Sequence, residues 1–209
     1  MSHRSDFDTA FAELPLVAIL RGVEPHEVEA IGEQLVEAGF RILEVPLNSP
    51  QPLDSIARLA KRCAGRAVVG AGTVLDVTSV AAVEDAGGTI VIAPNANLSV
   101  IAEAAARGLV AMPGIGTATE AFAALDAGAA ALKLFPAEGY QPAVIKAMRA
   151  VLPKDVRILP VGGVGPDTMG PWLAAGAAGF GLGSALYKAG MSAEQVRANA
   201  DAFVAAIRA

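Results

Sequence analysis

The stretch Leu109-Val-Ala-Met-Pro-Gly-Ile-Gly-Thr-Ala-Thr-Glu-Ala-Phe-Ala-Ala-Leu-Asp-Ala-Gly-Ala-Ala-Ala-Leu-Lys-Leu134 shows the unit from which the chain is built. It opens on an unbroken apolar run, Leu109–Met112, the pattern of a strand covered on both faces. After a Pro/Gly turn, Thr119–Ala127 has the Ala, Glu and Leu content of a helix. Gly128 then stands where a left-handed residue closes a last helical turn. A second apolar run, Ala130–Leu134, follows at once. Strand, loop, helix and glycine turn thus succeed one another.

The same unit recurs outward in both directions. Apolar runs of this kind occur at Leu16–Leu20, Ile42–Val45, Val68–Ala71, Thr89–Ile92, Leu109–Met112, Ala130–Leu134, Ile158–Val161 and Ala178–Gly181, eight in all. Helical stretches such as Pro25–Ala38 and Ser99–Arg107 lie between them, and Ala193–Ile207 completes the last unit. The breaks at Gly39, Gly65, Gly87, Gly108, Gly128, Pro153 and Gly176 are spaced by 26, 22, 21, 20, 25 and 23 residues. Eight such units close a parallel barrel of about 200–250 residues. A doubly wound open sheet is the rival, but it carries its glycine-rich turn after the first strand, and here those turns come late. The expected fold is α/β, a single-domain (β/α)8 TIM barrel over residues 1–209, with residues 1–14 as a lead-in helix or tail.

Composition removes several function classes. With 54% hydrophobic and 18% charged residues, the 209-residue chain has ample core material, which excludes disorder and a coiled coil. A net charge of −5 argues against a nucleic-acid partner, which needs clustered Lys and Arg. His3, His26 and Cys63 are too few for a His/Cys zinc site, so metal catalysis is not expected. A lone cysteine cannot form an internal disulfide. The mean hydropathy of +0.48 makes a membrane span worth testing. The uncharged stretch Thr168–Tyr187 is long enough, but Pro171 and five glycines break it into a short helix and a short strand. The N-terminal MSHRSDFDTAFAELP has acids where a signal peptide needs an apolar run. A cytoplasmic protein with no membrane partner is expected.

Active sites of such barrels lie at the C-terminal ends of the strands. Those positions select Arg21, Glu44, Thr73, Asn95, Lys133, Gly162–Gly163 and Gly183–Ser184. Strand alternation turns Leu132 and Leu134 toward the helices and Lys133 toward the interior. Burial there favours the neutral amine, a nucleophile suited to a Schiff base, although a lysine paired with a buried carboxylate would satisfy the same pattern. Glu44, between Leu43 and Val45, also points inward, as a general acid/base or as the charge partner of Lys133 or Arg21. Arg21 offers a fork of donors for a substrate carboxylate or for Glu44. Thr73 is a ligand contact or a helix cap. Val161-Gly-Gly-Val-Gly165 and Gly181-Leu-Gly-Ser184, each read as opening a helix, are candidate phosphate cradles, because glycines let backbone N–H groups approach an anion. Trp172 and Tyr140 are assigned to packing or rim, Met148 and Met191 to filling, and His26 to solvent.

On Ile19-Leu-Arg-Gly22, Glu44-Val-Pro-Leu-Asn-Ser-Pro50, Gly70-Ala-Gly-Thr-Val74, Pro94-Asn95, Leu132-Lys-Leu-Phe-Pro136 and Val161-Gly-Gly-Val164, the chain resembles the 2-keto-3-deoxy-6-phosphogluconate and 6-phosphogalactonate aldolases. The resemblance runs from about Leu16 to Tyr187. It implies a class I aldolase in which Lys133 forms the Schiff base and Glu44 is the general acid/base. Arg21, Thr73, Asn95 and Val161 would contact substrate, and Gly162, Gly163, Gly183 and Ser184 would hold its phosphate. A small phosphorylated 2-keto acid is the implied substrate and a homotrimer the implied assembly. Leu-Asn-Ser-Pro after the glutamate and Val161 before the glycine pair resemble the phosphogalactonate branch, where the phosphogluconate branch tends to have Thr-Leu-Arg-Thr and a threonine. A phosphate-binding isomerase or epimerase barrel using Glu44 as base, and a non-catalytic sensor of a phosphorylated metabolite, are the competing expectations.

Overall fold

The helices end where the glycines stand. In the computed structural model, which describes residues 2–209, Gly39 adopts φ 112° and its N–H returns to the carbonyls of Leu35 and Val36, closing a left-handed cap. The other five glycines expected at helix ends share its positive φ. Between these stops the chain runs α1 (His3–Glu13), β1 (Leu16–Ile19), α2 (Val28–Ala38), β2 (Ile42–Pro46), α3 (Pro52–Arg62), β3 (Val68–Gly72), α4 (Val77–Asp85), β4 (Ile90–Ile92), α5 (Leu98–Ala106) and β5 (Val110–Met112). It continues through β6 (Gly114–Ile115), α6 (Ala118–Asp126), β7 (Leu132–Leu134), α7 (Ala143–Arg149), β8 (Ile158–Pro160), α8 (Met169–Ala174), β9 (Phe180–Leu182) and α9 (Ala193–Arg208). Residues 1–14 therefore contain a helix, N-capped by the Ser2 side chain.

All strand pairs are parallel, but the strands form two sheets where one eight-stranded ring was expected. A curled six-stranded sheet has the order β5-β4-β3-β2-β1-β9, and a three-stranded sheet the order β6-β7-β8. The reason at one seam is Pro113, which has no N–H and separates β5, within the fifth apolar run and bonded to β4, from β6 beyond that run, bonded to β7. Lys133 N–H still donates to Pro113 O at 2.9 Å, and Ala130 N–H to Ala111 O at 2.8 Å. At the other seam the strands β8 and β9 are joined by a single bridge, Val161 to Gly181, and by Ala178 N–H to Ile158 O.

Strand alternation sorts the apolar residues into two cores. Leu43, Val45, Val69, Ala71, Val91, Ala111, Leu132 and Leu134 pack outward against the helices. Val17, Ile42, Val68, Ile90, Ile92, Val110, Met112 and Leu159 face inward and meet Phe7, Ala10 and Phe11 of α1. Arg157 lies over both phenyl rings, 4.7 Å from the centre of Phe11. Burying each phenylalanine contributes about 1.5–3 kcal/mol, so α1 stoppers the N-terminal end of the strands. Access to the interior is left at the C-terminal end. The stretch Thr168–Tyr187 divides into α8 and β9, and no helix among the described residues is long and apolar enough to cross a membrane.

Candidate active site

Lys133 is the middle residue of β7, flanked by two leucines that anchor the strand to the helical layer. Period-2 alternation sends its side chain inward, where it is 4% exposed. Its ammonium lies 4.7 Å from the centre of the Phe135 ring. Burial lowers its pKa, the Glu44 carboxylate opposes that, and the Arg21 guanidinium adds to it. Glu44 occupies the equivalent inward place on β2, in register with Ile19 and Gly70 and 1% exposed. Its Oε2 has no hydrogen-bond partner. Burial pushes its pKa up to about 7 against the pull of Lys133 and then Arg21. The carboxylate fits only because Gly72 beside it has no side chain; a Cβ there would overlap Oε2.

The rim is tied together by residues that follow β1 and β2. Arg21 is exposed, and its Nη1 donates to Asn48 Oδ1 at 2.6 Å, while Gly22 N–H donates to Ser49 Oγ at 2.9 Å. Asn48 thus takes the holding role that the sequence offered to Glu44. Thr73, at the end of β3, has φ 57°, a left-handed conformation that a β-branched residue rarely adopts. The helix-cap alternative for Thr73 falls away, since Asp76 caps α4 by accepting from Ser79 N–H at 2.8 Å. Asn95 is exposed in the turn after β4, and Asn97 is the cap of α5.

A cleft of about 590 Å³ opens at this end, lined among others by Arg21, Lys133, Val161, Gly162, Gly163, Gly183 and Ser184. Seven of the ten expected residues therefore share one wall. Glu44 lies buried and does not line the cleft, and Thr73 and Asn95 stand outside its lining at the ends of neighbouring strands. Gly162 and Gly163 have φ 112° and 65°. Ser184 does not open a helix, contrary to expectation. Leu186 and Tyr187 N–H both return to Gly183 O in a turn, and α9 begins only at Ala193, after the left-handed Gly190. Of the residues assigned to packing, rim or filling, Trp172 and Met148 are buried and Tyr140 OH donates to Gly116 O at 3.1 Å; His26, assigned to solvent, is exposed. Sequence reasoning missed Asn48, Phe135, Glu138 and Lys188. Phe135 was within reach, two residues from Lys133 along the strand direction. Glu138 and Lys188 lie in turns whose placement depends on other strands.

The family model "Aldolase: KDPG and KHG aldolase" matches residues 7–201. The 2-dehydro-3-deoxy-6-phosphogalactonate aldolase of Escherichia coli (strain K12) is 47% identical over 94% of this chain and 96% of its own. The 2-dehydro-3-deoxy-phosphogluconate aldolase of Zymomonas mobilis is 33% identical over 80% of each chain. The solved native KDPGal structure superposes with a TM-score of 0.92 at 47% identity, covering 94% of this chain and 95% of that one.

Proposed function

The chain belongs to the KDPG and KHG aldolase family, and we propose that it is a class I aldolase that cleaves 2-dehydro-3-deoxy-6-phosphogalactonate reversibly to pyruvate and D-glyceraldehyde 3-phosphate. The observation that carries this reading is Lys133, buried on the cleft wall with its pKa lowered, beside a carboxyl group, Glu44, poised near neutrality. The neutral Lys133 amine attacks the C2 ketone carbon, and loss of water leaves a protonated imine. The Glu44 carboxylate takes the C4 hydroxyl proton by way of one water. The C3–C4 electron pair passes to the iminium nitrogen as the bond breaks, giving an enamine and the free aldehyde phosphate. Protonation of the enamine at C3 and hydrolysis return pyruvate and Lys133. A group that titrates near 7 suits both directions of this proton transfer. The imine is itself the electron sink, so the step draws on no metal or cofactor.

Arg21 receives the substrate carboxylate, with Thr73, Asn95 and Val161 as further contacts, and the backbone around Gly162–Gly163 and Gly183–Ser184 receives the phosphate. Val161 is 5% exposed at the cleft. A methyl there in place of a hydroxyl favours the galacto epimer at C4, and the higher identity to the phosphogalactonate relative supports that branch. The seam hydrogen bonds between the two sheets support reading the chain as a single (β/α)8 TIM barrel domain. Val77, Leu98 and Phe122, exposed on the contiguous α4, α5 and α6, with Leu75 just before α4, support the reading of a homotrimer. A buried free thiol at Cys63 fits a cytoplasmic location. The deciding experiment is borohydride reduction in the presence of pyruvate with peptide mapping of the five lysines. An adduct on Lys133 alone is expected; an adduct elsewhere, or none, overturns the assignment.

A further inference from the structure

The glycine pair after β8 is not bare. The side chain of Glu138 lies across it: a Cβ on Gly163 would stand 2.6 Å from Glu138 Cγ, and one on Gly162 2.8 Å from its Cδ. Both positions therefore need glycine for close approach as well as for positive φ. Glu138 belongs to a 3-10 turn, Ala137–Gly139, that directly follows the lysine strand. That turn is held in place, with Ala137 N–H donating to Val161 O at 2.9 Å and Tyr140 OH to Gly116 O at 3.1 Å. The strand end that presents the glycines and the turn that presents the carboxylate are thus one hydrogen-bonded piece. The cleft's other charged lining groups are Arg21, Lys133 and Lys188 against Asp167. Glu138 alone among these is laid over Gly162 and Gly163.

We propose that Glu138 is a specificity-determining residue, a resident anion on the glycine pair that inorganic phosphate must displace unaided and that the phosphate ester of a bound substrate displaces with the help of its tether. The proposal rests on the phosphate role of the glycine pair given above. A carboxylate at a phosphate site repels every arriving dianion equally. The difference lies in delivery. A phosphate joined through the carbon chain to an imine on Lys133 meets the site intramolecularly, at a high effective concentration, whereas a free ion does not. The penalty is common to both and leaves the ratio of their intrinsic affinities unchanged, but it empties the site of loose phosphate while the tethered phosphate, at its high effective concentration, still fills it.

The test is Glu138→Gln, read as the inhibition constant of inorganic phosphate against retro-aldol cleavage, and as KM for D-glyceraldehyde 3-phosphate and for unphosphorylated D-glyceraldehyde in condensation with pyruvate. The variant is expected to bind inorganic phosphate about threefold to tenfold more tightly, the scale of one partly solvated charge pair, with KM for D-glyceraldehyde 3-phosphate, which arrives untethered in condensation, lowered in the same sense and KM for D-glyceraldehyde unchanged. Asp167→Asn removes the same charge from the same cleft without uncovering Gly162 and Gly163, and its inhibition constant moves less than that of Glu138→Gln. If phosphate competes in the wild type but Glu138→Gln binds it no better, or if both variants shift alike, the role of Glu138 is overturned and the phosphate site stands. If phosphate competes in neither protein and both aldehydes are used equally, the phosphate site itself fails and takes the proposal with it.

Discussion

Glu44→Gln separates what the buried carboxyl does for the fold from what it does for the reaction. Glu44 is buried, one oxygen lacks a partner, and its pKa is raised from 4.5 to about 7. The unfolded chain gives up this proton first. Between pH 4.5 and 7 the folded protein holds a proton that the unfolded one has lost, so stability falls as pH rises through that window and levels off above it. At about 1.4 kcal/mol per pH unit, the cost above pH 7 is about 3 kcal/mol. Glutamine keeps the shape beside Gly72 and cannot ionise, so the variant lacks this pH-dependent loss. Urea unfolding at one protein concentration, compared at pH 5 and pH 8, should show Glu44→Gln gaining roughly 2–3 kcal/mol on wild type between the two pH values. The amide's own unmet donors shift both measurements together and drop out of that difference. Cleavage should fall ~10²–10⁴-fold, and the acid limb of the wild-type rate profile near pH 7 should vanish. A stability difference that is the same at both pH values would refute the buried, proton-holding carboxyl; near-normal turnover would refute its acid/base role.

Lys133→Met, which keeps the side-chain volume and removes the amine, should abolish cleavage while leaving Tm equal to or above wild type, since a buried amine is costly to desolvate; measurable residual turnover excludes the imine. Gly72→Ala places a methyl where the Glu44 carboxylate sits, and should lower kcat at least ~10²-fold through displacement of that group, with the wild-type pH limb moved or lost; a normal profile would mean that the carboxylate is not confined there. Val161→Thr should shift the ratio of kcat/KM for the two C4 epimers toward the phosphogluconate substrate, and an unchanged ratio removes the basis for that contact.

Much of the architecture is legible locally. Eight apolar runs correspond to eight strand positions, and Gly39, Gly65, Gly87, Gly108, Gly128 and Gly176 all turn left-handed, because burial on both faces and helix termination leave marks within a few residues. The inward direction of Lys133 and Glu44 follows from alternation alone. The mistakes arise where the outcome depends on the neighbour across a seam. Pro113 was visible in the sequence, yet its effect, a short extra strand β6 that pairs in the other sheet from β5, depends on which strands lie on either side. Ser184 follows glycines as a helix-opening residue would, but the helix is delayed to Ala193 because residues 184–190 turn back against the first strand's loop, where Ala189 meets Gly22.

By itself the sequence determined the βα unit, its repetition, the lysine and glutamate on inward faces and the glycines able to meet an anion, all consequences of side-chain period and backbone freedom within one segment. Tertiary structure alone decided that Lys133 and Glu44, eighty-nine positions apart, perturb one another's protons, that Asn48 holds Arg21, and that Glu138 rests on Gly162 and Gly163. Charge interaction and desolvation depend on distance through space and on the exclusion of water, and neither quantity exists until the strands have closed around the site.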